Sequence, residues 1–294
     1  MARHIAVIGG VNMDIAGSPA GKLILRDSNP GHVALRPGGV GRNIAHNLRL
    51  LGLDVSLVAA LGDDVYGKAL LDSCKNLGLD MDMALVLPGE RSSVYLYVTD
   101  ETGDMHVGLS DMDIVNRLTP DYMARWLDRL NSCDAVVLDA NLPEETIIYL
   151  AQHCAAPLYA DPVSTAKAVK LKGVLDRLHA IKPNALEAAI LTGQEEPERA
   201  ARALLAAGVE RVFISLGAGG ILAAQGEELT RVPCEKVQAR NTNGAGDAAT
   251  AALIWAGTEG ADLIRCARAA VLAGAATAGS PETNTAAIRA ALRA

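Results

Sequence analysis

From about residue 120 onward the chain alternates short apolar runs with longer helical patterns, and this rhythm restricts the fold more than any other feature. Ala135 to Leu138, Pro157 to Ala160, Ala180 to Lys182 and Arg211 to Leu216 read as strands. Turn formers close several of these runs, and helical patterns lie between them. Alternation of this length implies a largely parallel sheet with helices on both faces. His4 to Val11 and Val55 to Leu61 read as two further strands nearer the start. Half of the 294 residues are apolar but only 3% are aromatic, which suits a helix-rich α/β protein better than an all-β one. No repeat, low-complexity stretch or linker interrupts the chain, so residues 1–294 are expected to form one domain with a small lid.

The lid is expected from two other segments. Residues 17–37 hold turn formers around Leu23, Leu25, Val33 and Leu35, and read as a strand pair with Asp27 to Gly31 as its turn. Ser92 to Val98 alternates cleanly and turns through Asp100 to Asp104 into Met105 to Leu109, which makes a hairpin. Together, residues 15–37 and 91–112 would form a small projecting sheet, with Asp111 and Asp113 at polar ends able to reach a ligand. Its exposed edges are a place where a second copy could pair, giving a homodimer.

Several stretches carry chemistry. Asn241-Thr242-Asn243-Gly244-Ala245-Gly246-Asp247 reads as a turn opening a helix. Gly244, Ala245 and Gly246 leave their backbone N–H groups free to converge on an anion at the positive end of the helix dipole. Asp247 would repel that anion unless it faces a hydroxyl about to attack it, as base or aligner. The plainer reading is a Gly-capped helix with an acidic first turn. Gly9 to Asp14 follows a strand, where open α/β sheets carry ligands. Asn12 and Asp14 share a face if extended and would suit vicinal hydroxyls of a sugar, or else an Asx-rich turn. Pro37 to Asn43 leads into a helix bearing Ile44, Leu48 and Leu51, with glycines that permit close approach and Asn43 offering donor and acceptor. Asn184 and Glu187 lie one turn apart, as site groups or as a capping box.

Some readings are excluded. Gly62 to Ala69 matches G-x-x-x-x-G-K, but Ala69 stands where a phosphate loop needs Ser or Thr, and Asp63 and Asp64 would face the phosphates. A helix start with acidic residues for its dipole is expected instead. A net charge of −7 argues against a nucleic-acid partner. Five scattered cysteines without CxxC spacing suggest neither a disulfide framework nor a zinc site. The first residues run straight into a strand, and no stretch of about 18 apolar residues is free of charge, so a soluble cytoplasmic protein without membrane contact is expected.

Six of these segments, in order, resemble the motifs of the ribokinase (PfkB) family of carbohydrate and nucleoside kinases. They are Gly9 to Asp14, Gly38 to Asn43, Gly62 to Gly67, Lys182 to Glu187, Ser215 to Gly217, and Asn241 to Asp247. The resemblance runs end to end and implies a ribokinase-like α/β fold with a mostly parallel central sheet, helices on both faces and a β-sheet lid. It implies ATP and Mg²⁺ as cofactors and a small-molecule nucleoside or sugar as substrate. By matching position, Asn12 and Asp14 would hold ribose hydroxyls, with Gly39, Gly41 and Asn43 closing on the sugar. Asp247 would be the catalytic base, with Gly244, Ala245 and Gly246 as the anion hole. Asn184 and Glu187 would act around the nucleotide phosphates and Mg²⁺, largely through water. Ser215, Gly217 and Gly220 would line the nucleotide cleft.

Within the family, Asp27 to Gly31, Pro37 to Ala45, Asp111 to Asp113, and Asp161 to Ser164 with Lys167 look most like pseudouridine kinases, as does Asn at the head of the last motif. That branch would bring Ser28, Asn29 and Asp113 near the nucleobase. Asn241 departs from the family's first Asp, which in many relatives helps hold a monovalent cation, so potassium activation is in doubt. Rival readings are the same chemistry on ribose, another sugar or another nucleoside, a non-catalytic binding protein on this scaffold, and a dinucleotide enzyme.

Overall fold

The structure is a computed structural model describing residues 3–235 and 237–293. Strand β1 (His4–Ile8) is followed by β2 (Asn12–Pro19), β3 (Gly31–Gly38) and helix α1 (Val40–Leu50). β1 ends at Ile8, earlier than Val11, because the backbone of Gly10 is needed elsewhere: its N–H donates to Asp139 Oδ2 (2.7 Å) and its carbonyl accepts Arg42 N–H (3.2 Å). β2 begins at Asn12, so Leu23 and Leu25 lie in the connection rather than in a strand. There the Asn29 amide accepts from Ile24 N (2.8 Å) and donates to Ile24 O and Asp27 O, closing a turn that competes with strand pairing.

Next come β4 (Asp54–Val58), β5 (Ala60–Gly62), α2 (Val65–Asn76) and β6 (Leu85–Leu87). The strand expected over 55–61 is thus divided, and β5 leaves the main sheet to pair in parallel with β6. Asp64 caps α2 by accepting Gly67 N–H (2.7 Å), and it also accepts Ser92 Oγ (2.7 Å) and Ser92 N (3.0 Å). The Gly62 to Ala69 segment is therefore a capped helix start, with its acidic groups spent on the chain itself.

Strands β7 (Val94–Thr99) and β8 (Met105–Asp111) complete a four-stranded sheet of order β3-β2-β7-β8. The rest supplies α3 (Pro120–Ala124), α4 (Leu127–Asn131), β9 (Ala135–Asp139), α5 (Glu144–His153), β10 (Leu158–Asp161), α6 (Thr165–Ala168) and β11 (Ala180–Ile181). It continues with α7 (Ala185–Thr192), α8 (Pro197–Ala206), β12 (Arg211–Ser215), β13 (Ile221–Gln225), β14 (Glu228–Val232), α9 (Ala245–Thr258), α10 (Leu263–Ala278) and α11 (Ala287–Ala291).

The main sheet has the order β14-β13-β12-β11-β10-β9-β1-β4, parallel from β4 to β12 and closed by the antiparallel strands β13 and β14. Period-two alternation divides its side chains between two cores. Ile5, Val7, Val137, Tyr159 and Phe213 pack with α1, α9 and α10, whereas Ala6, Ile8, Leu138, Ala160 and Ile214 pack with α5, α7 and α8. Fully buried Ala248, Ala251, Ala252, Ala267, Ala270 and Ala273 let α9 and α10 lie close together, which is how so few aromatics suffice. Order reverses at β1, since β4 lies on one side and β9 on the other. Such a switch point opens a crevice at the strands' carboxyl ends. No described helix is long and apolar enough to cross a membrane.

Candidate active site

The carboxyl ends of β1, β9, β10, β11 and β12 converge with the first turns of α1 and α9. Gly244, left-handed at φ 78°, caps α9, and a Cβ there would come within 2.5 Å of the Thr283 carbonyl, so only glycine fits the turn. Ala245, Gly246 and Asp247 form the first turn of α9. Asn43, on the first turn of α1, donates from Nδ2 to Asp247 Oδ2 at 2.9 Å across 204 residues of sequence. Its own Oδ1 is buried without a partner among the described residues, leaving an open acceptor beside the carboxylate.

Asp247 stands in an unusually acidic surrounding. Asp139 is fully buried at the end of β9 and accepts Gly10 N–H (2.7 Å) and Asn141 N–H (2.9 Å). Asp161, buried at the end of β10, accepts the Thr250 hydroxyl (2.8 Å) and lies 3.6 Å from the buried Lys182 ammonium. Burial first, then the charge of Asp161, raises the Asp247 carboxyl from 3.8 to about 7, against the Asn43 bond and the charge of Lys182. Burial raises Asp139 and Glu187 as well. Lys182 Nζ lies 3.8 Å from where a Cβ on Gly246 would stand, so a fixed cation underlies the turn.

Neither Asp139, Asp161 nor Lys182 was assigned a role from sequence. Their signal was available in apolar strands that each end on a single charged residue, but nothing local brings the three together.

Asn12 is buried and donates to Asp14 Oδ1 at 2.6 Å. Burial raises the Asp14 carboxyl, opposed by that bond and by the charge of Arg42. The nearby glycines have a tertiary reason. A Cβ on Gly39 (φ 102°) would come within 2.4 Å of Gly10 O, and one on Gly41 within 2.9 Å of Gly9. Both serve the seating of α1 on the Gly9-Gly10 bend.

Asn184 and Glu187 form a reciprocal capping box on α7, each bond 2.9 Å. Asn184 nevertheless lines a cleft of about 630 Å³ with Ser215, Gly217, Gly220, Ala245 and Gly246, whose remaining walls include Ile221, Val237 and Val271. Gly220 is there because a Cβ would come within 2.0 Å of Val232 O. Glu187 is buried behind Asn184. Among the described residues, no three His, Cys, Asp or Glu side chains gather as a metal-binding group. Glu187 behind Asn184, with no ring of protein ligands around it, fits a hydrated ion such as Mg²⁺, which keeps several waters, rather than a cation held by protein ligands alone.

The residues expected near a base are less convergent. Ser28 is exposed in the 20–30 connection, and Asn29 spends its amide on that connection. Asp113 is exposed at the start of a 3₁₀ turn, Asp113–Arg117. Asn241 Oδ1 accepts Asn243 N–H (3.0 Å) and its Nδ2 donates to Pro281 O (3.3 Å).

A family model described as pfkB family carbohydrate kinase matches residues 2–290. The chain is 38% identical over 258 residues to a pseudouridine kinase of Escherichia coli (strain K12), covering 85% of this chain and 82% of that protein. It is 32% identical over 292 residues to an uncharacterized sugar kinase, YeiI, of the same organism, covering 96% and 80%. The solved structure of a carbohydrate kinase from Agrobacterium tumefaciens superposes with a TM-score of 0.88 at 29% identity, covering 99% of this chain and 96% of that one.

Proposed function

The chain belongs to the pfkB family of carbohydrate kinases, phosphotransferases with a hydroxyl acceptor, and on that footing we propose that it phosphorylates the 5′-hydroxyl of pseudouridine with ATP, giving pseudouridine 5′-phosphate and ADP. The observation that carries the reading is Asp247. It is a carboxylate raised to about 7, bonded to Asn43, at the N-terminus of a 14-residue helix. On one side stand the sugar-type groups Asn12, Asp14 and Asn43, and on the other the largely apolar cleft of about 630 Å³.

In this reading Asn12 and Asp14 hold ribose hydroxyls and Asn43 Oδ1 accepts one more. Asp247 takes the proton of the primary hydroxyl as its oxygen attacks the γ-phosphorus. The N–H groups of Gly244 to Gly246, backed by Lys182, hold the developing charge. Mg²⁺ bound with ATP would neutralise phosphate charge, with Glu187 holding it through water. The adenine slot is the apolar wall beyond Ser215, Gly217 and Gly220. The β3-β2-β7-β8 sheet is the lid that excludes water, and the cytoplasm is where we expect the enzyme to meet its ATP. The pseudouridine assignment is supported by the E. coli relative at 38% identity.

The same lid suggests a homodimer, through its outer face rather than its edges. Rows Leu35·Ile15·Leu96·Leu109 and Val33·Gly17·Val98·Val107 cross all four strands, and Val33, Leu35, Val107 and Leu109 remain 70%, 52%, 48% and 65% exposed. A contiguous patch of this extent, on the order of 500 Å², is at the upper range for a monomer. Leu35→Lys with Leu109→Lys should halve the mass seen by light scattering. A wild-type monomer at micromolar concentration would end the idea.

The direct test of function is ATP consumption with Mg²⁺ on pseudouridine, uridine, ribose, fructose and adenosine at equal concentration. Selective turnover of pseudouridine is expected. Selective turnover of another sugar or nucleoside refutes the substrate, and silence on all five refutes the reaction as proposed.

A further inference from the structure

The inner face of the lid carries a second pattern. In register, Arg36, Asp14, Tyr95 and Ser110 form one row across β3, β2, β7 and β8, and Ala34, Ala16, Tyr97 and Gly108 form the next. Residues paired across a sheet share a face, so both tyrosines lie on the side of Asp14. Tyr95 leans over Gly108, where a Cβ would come 3.0 Å from its hydroxyl, and that hydroxyl touches Met105 Sδ at 3.2 Å. Tyr97 stands in a row otherwise made of Ala34, Ala16 and Gly108, so nothing in its own row covers the ring. The two ring centroids are 5.7 Å apart at 34°, making a shallow aromatic wall along β7.

That wall faces a cleft of about 610 Å³, whose far side is Ala239 to Asn243. Asn243 immediately precedes the Gly244 turn, and Ala239 and Thr242 border the nucleotide-type cleft as well, so the two cavities adjoin. In a chain with only nine aromatic residues, two stand at i and i+2 on the face shared with Asp14. Phe213 and Tyr159, by contrast, are spent in the core.

We propose that Tyr95 and Tyr97 are the base-recognition wall of the acceptor site, Tyr97 stacking on the planar ring of a pyrimidine nucleoside whose ribose is held by Asp14. The wall recognises a π-face, while the polar groups of Asn243 and Thr242 opposite are available to the edges of the ring. This rests on the nucleoside reading above. It also replaces Ser28 and Asn29 as the lid groups nearest the base.

The test compares Tyr97→Leu and Tyr97→Phe with wild type, using pseudouridine and ATP as varied substrates. Loss of stacking should raise KM for pseudouridine by about 10-fold or more in Tyr97→Leu, in the range seen for base–aromatic contacts. The kcat, KM for ATP and melting temperature should stay within about 2-fold or 2 °C of wild type, and Tyr97→Phe should behave like wild type. An unchanged pseudouridine KM in Tyr97→Leu, or a loss shared by ATP and by Tyr97→Phe, overturns the wall and leaves the kinase reading intact. Wild type that turns over no nucleoside overturns both.

Discussion

Replacing Asp247 with Asn should damage catalysis and improve stability, and the improvement should depend on pH in a defined way. The carboxyl is raised from 3.8 to about 7, mainly by burial and next by Asp161. A rise of roughly three units at about 1.4 kcal/mol per unit puts the cost of ionising this group in the folded chain near 4 kcal/mol. The folded state binds the proton more tightly than the unfolded state. Below pH 3.8 both states hold it and no penalty exists. Above that, the unfolded chain gains by ionising, so stability falls with pH until about 7 and is then level. Asn carries no such charge and can still accept from Asn43 through its carbonyl oxygen. Asp247→Asn should therefore gain about 1.5 kcal/mol over wild type at pH 5 and about 4 kcal/mol at pH 8, read by urea unfolding at each pH. The same variant should lose about 10²–10⁴-fold in kcat if Asp247 is the base. Wild-type kcat/KM should fall on the acid side with a midpoint near 7. A stability difference that is flat from pH 5 to pH 8 would refute the raised carboxyl. Near-normal turnover would remove Asp247 from the chemistry.

Three further outcomes are expected. Gly39→Ala forces a side chain onto φ 102° with its Cβ 2.4 Å from Gly10 O, and should cost about 3 kcal/mol or more in urea melts. Arg42 fastens Pro37 O (3.1 Å) and Ser73 Oγ (3.0 Å) while its charge restrains Asp14. Arg42→Met should push the Asp14 carboxyl still higher, moving the acid limb of acceptor KM to higher pH. An acid limb that does not move would separate the two groups. Because the Asn241 amide bonds Pro281 O directly, exchanging sodium for potassium at constant ionic strength should leave the rate unchanged. A steep rise would show that a cation site survives there.

Much of the fold was legible because its causes are local. Apolar runs alternating with helical periods require parallel strands and covering helices, and the Asn184-to-Glu187 spacing writes its own capping box. Leu23 and Leu25 misled for the same reason, since their alternation is local but the Asn29 amide overrides it. The edge strand β14 and the small β5–β6 pair depend on which edges remain free, and no periodicity records that.

The candidate site divides along the same line. By itself the sequence determined which groups were on hand: a glycine turn ahead of Asp247, an Asn12–Asp14 pair one strand pitch apart, and glycines where backbones must nearly touch. Those are consequences of side-chain size and of spacing along one segment. Only the tertiary structure decided what each group became. Asn43 reaches Asp247 across 204 residues. Asp139, Asp161 and Lys182 meet beneath it because β9, β10 and β11 end side by side. Tyr95 and Tyr97 face inward because pairing in register with Asp14 and Ala16 selects their face. Charge interactions and burial depend on distance through space, so a carboxyl raised to about 7 is a property of the assembled strands and not of the segment that carries it.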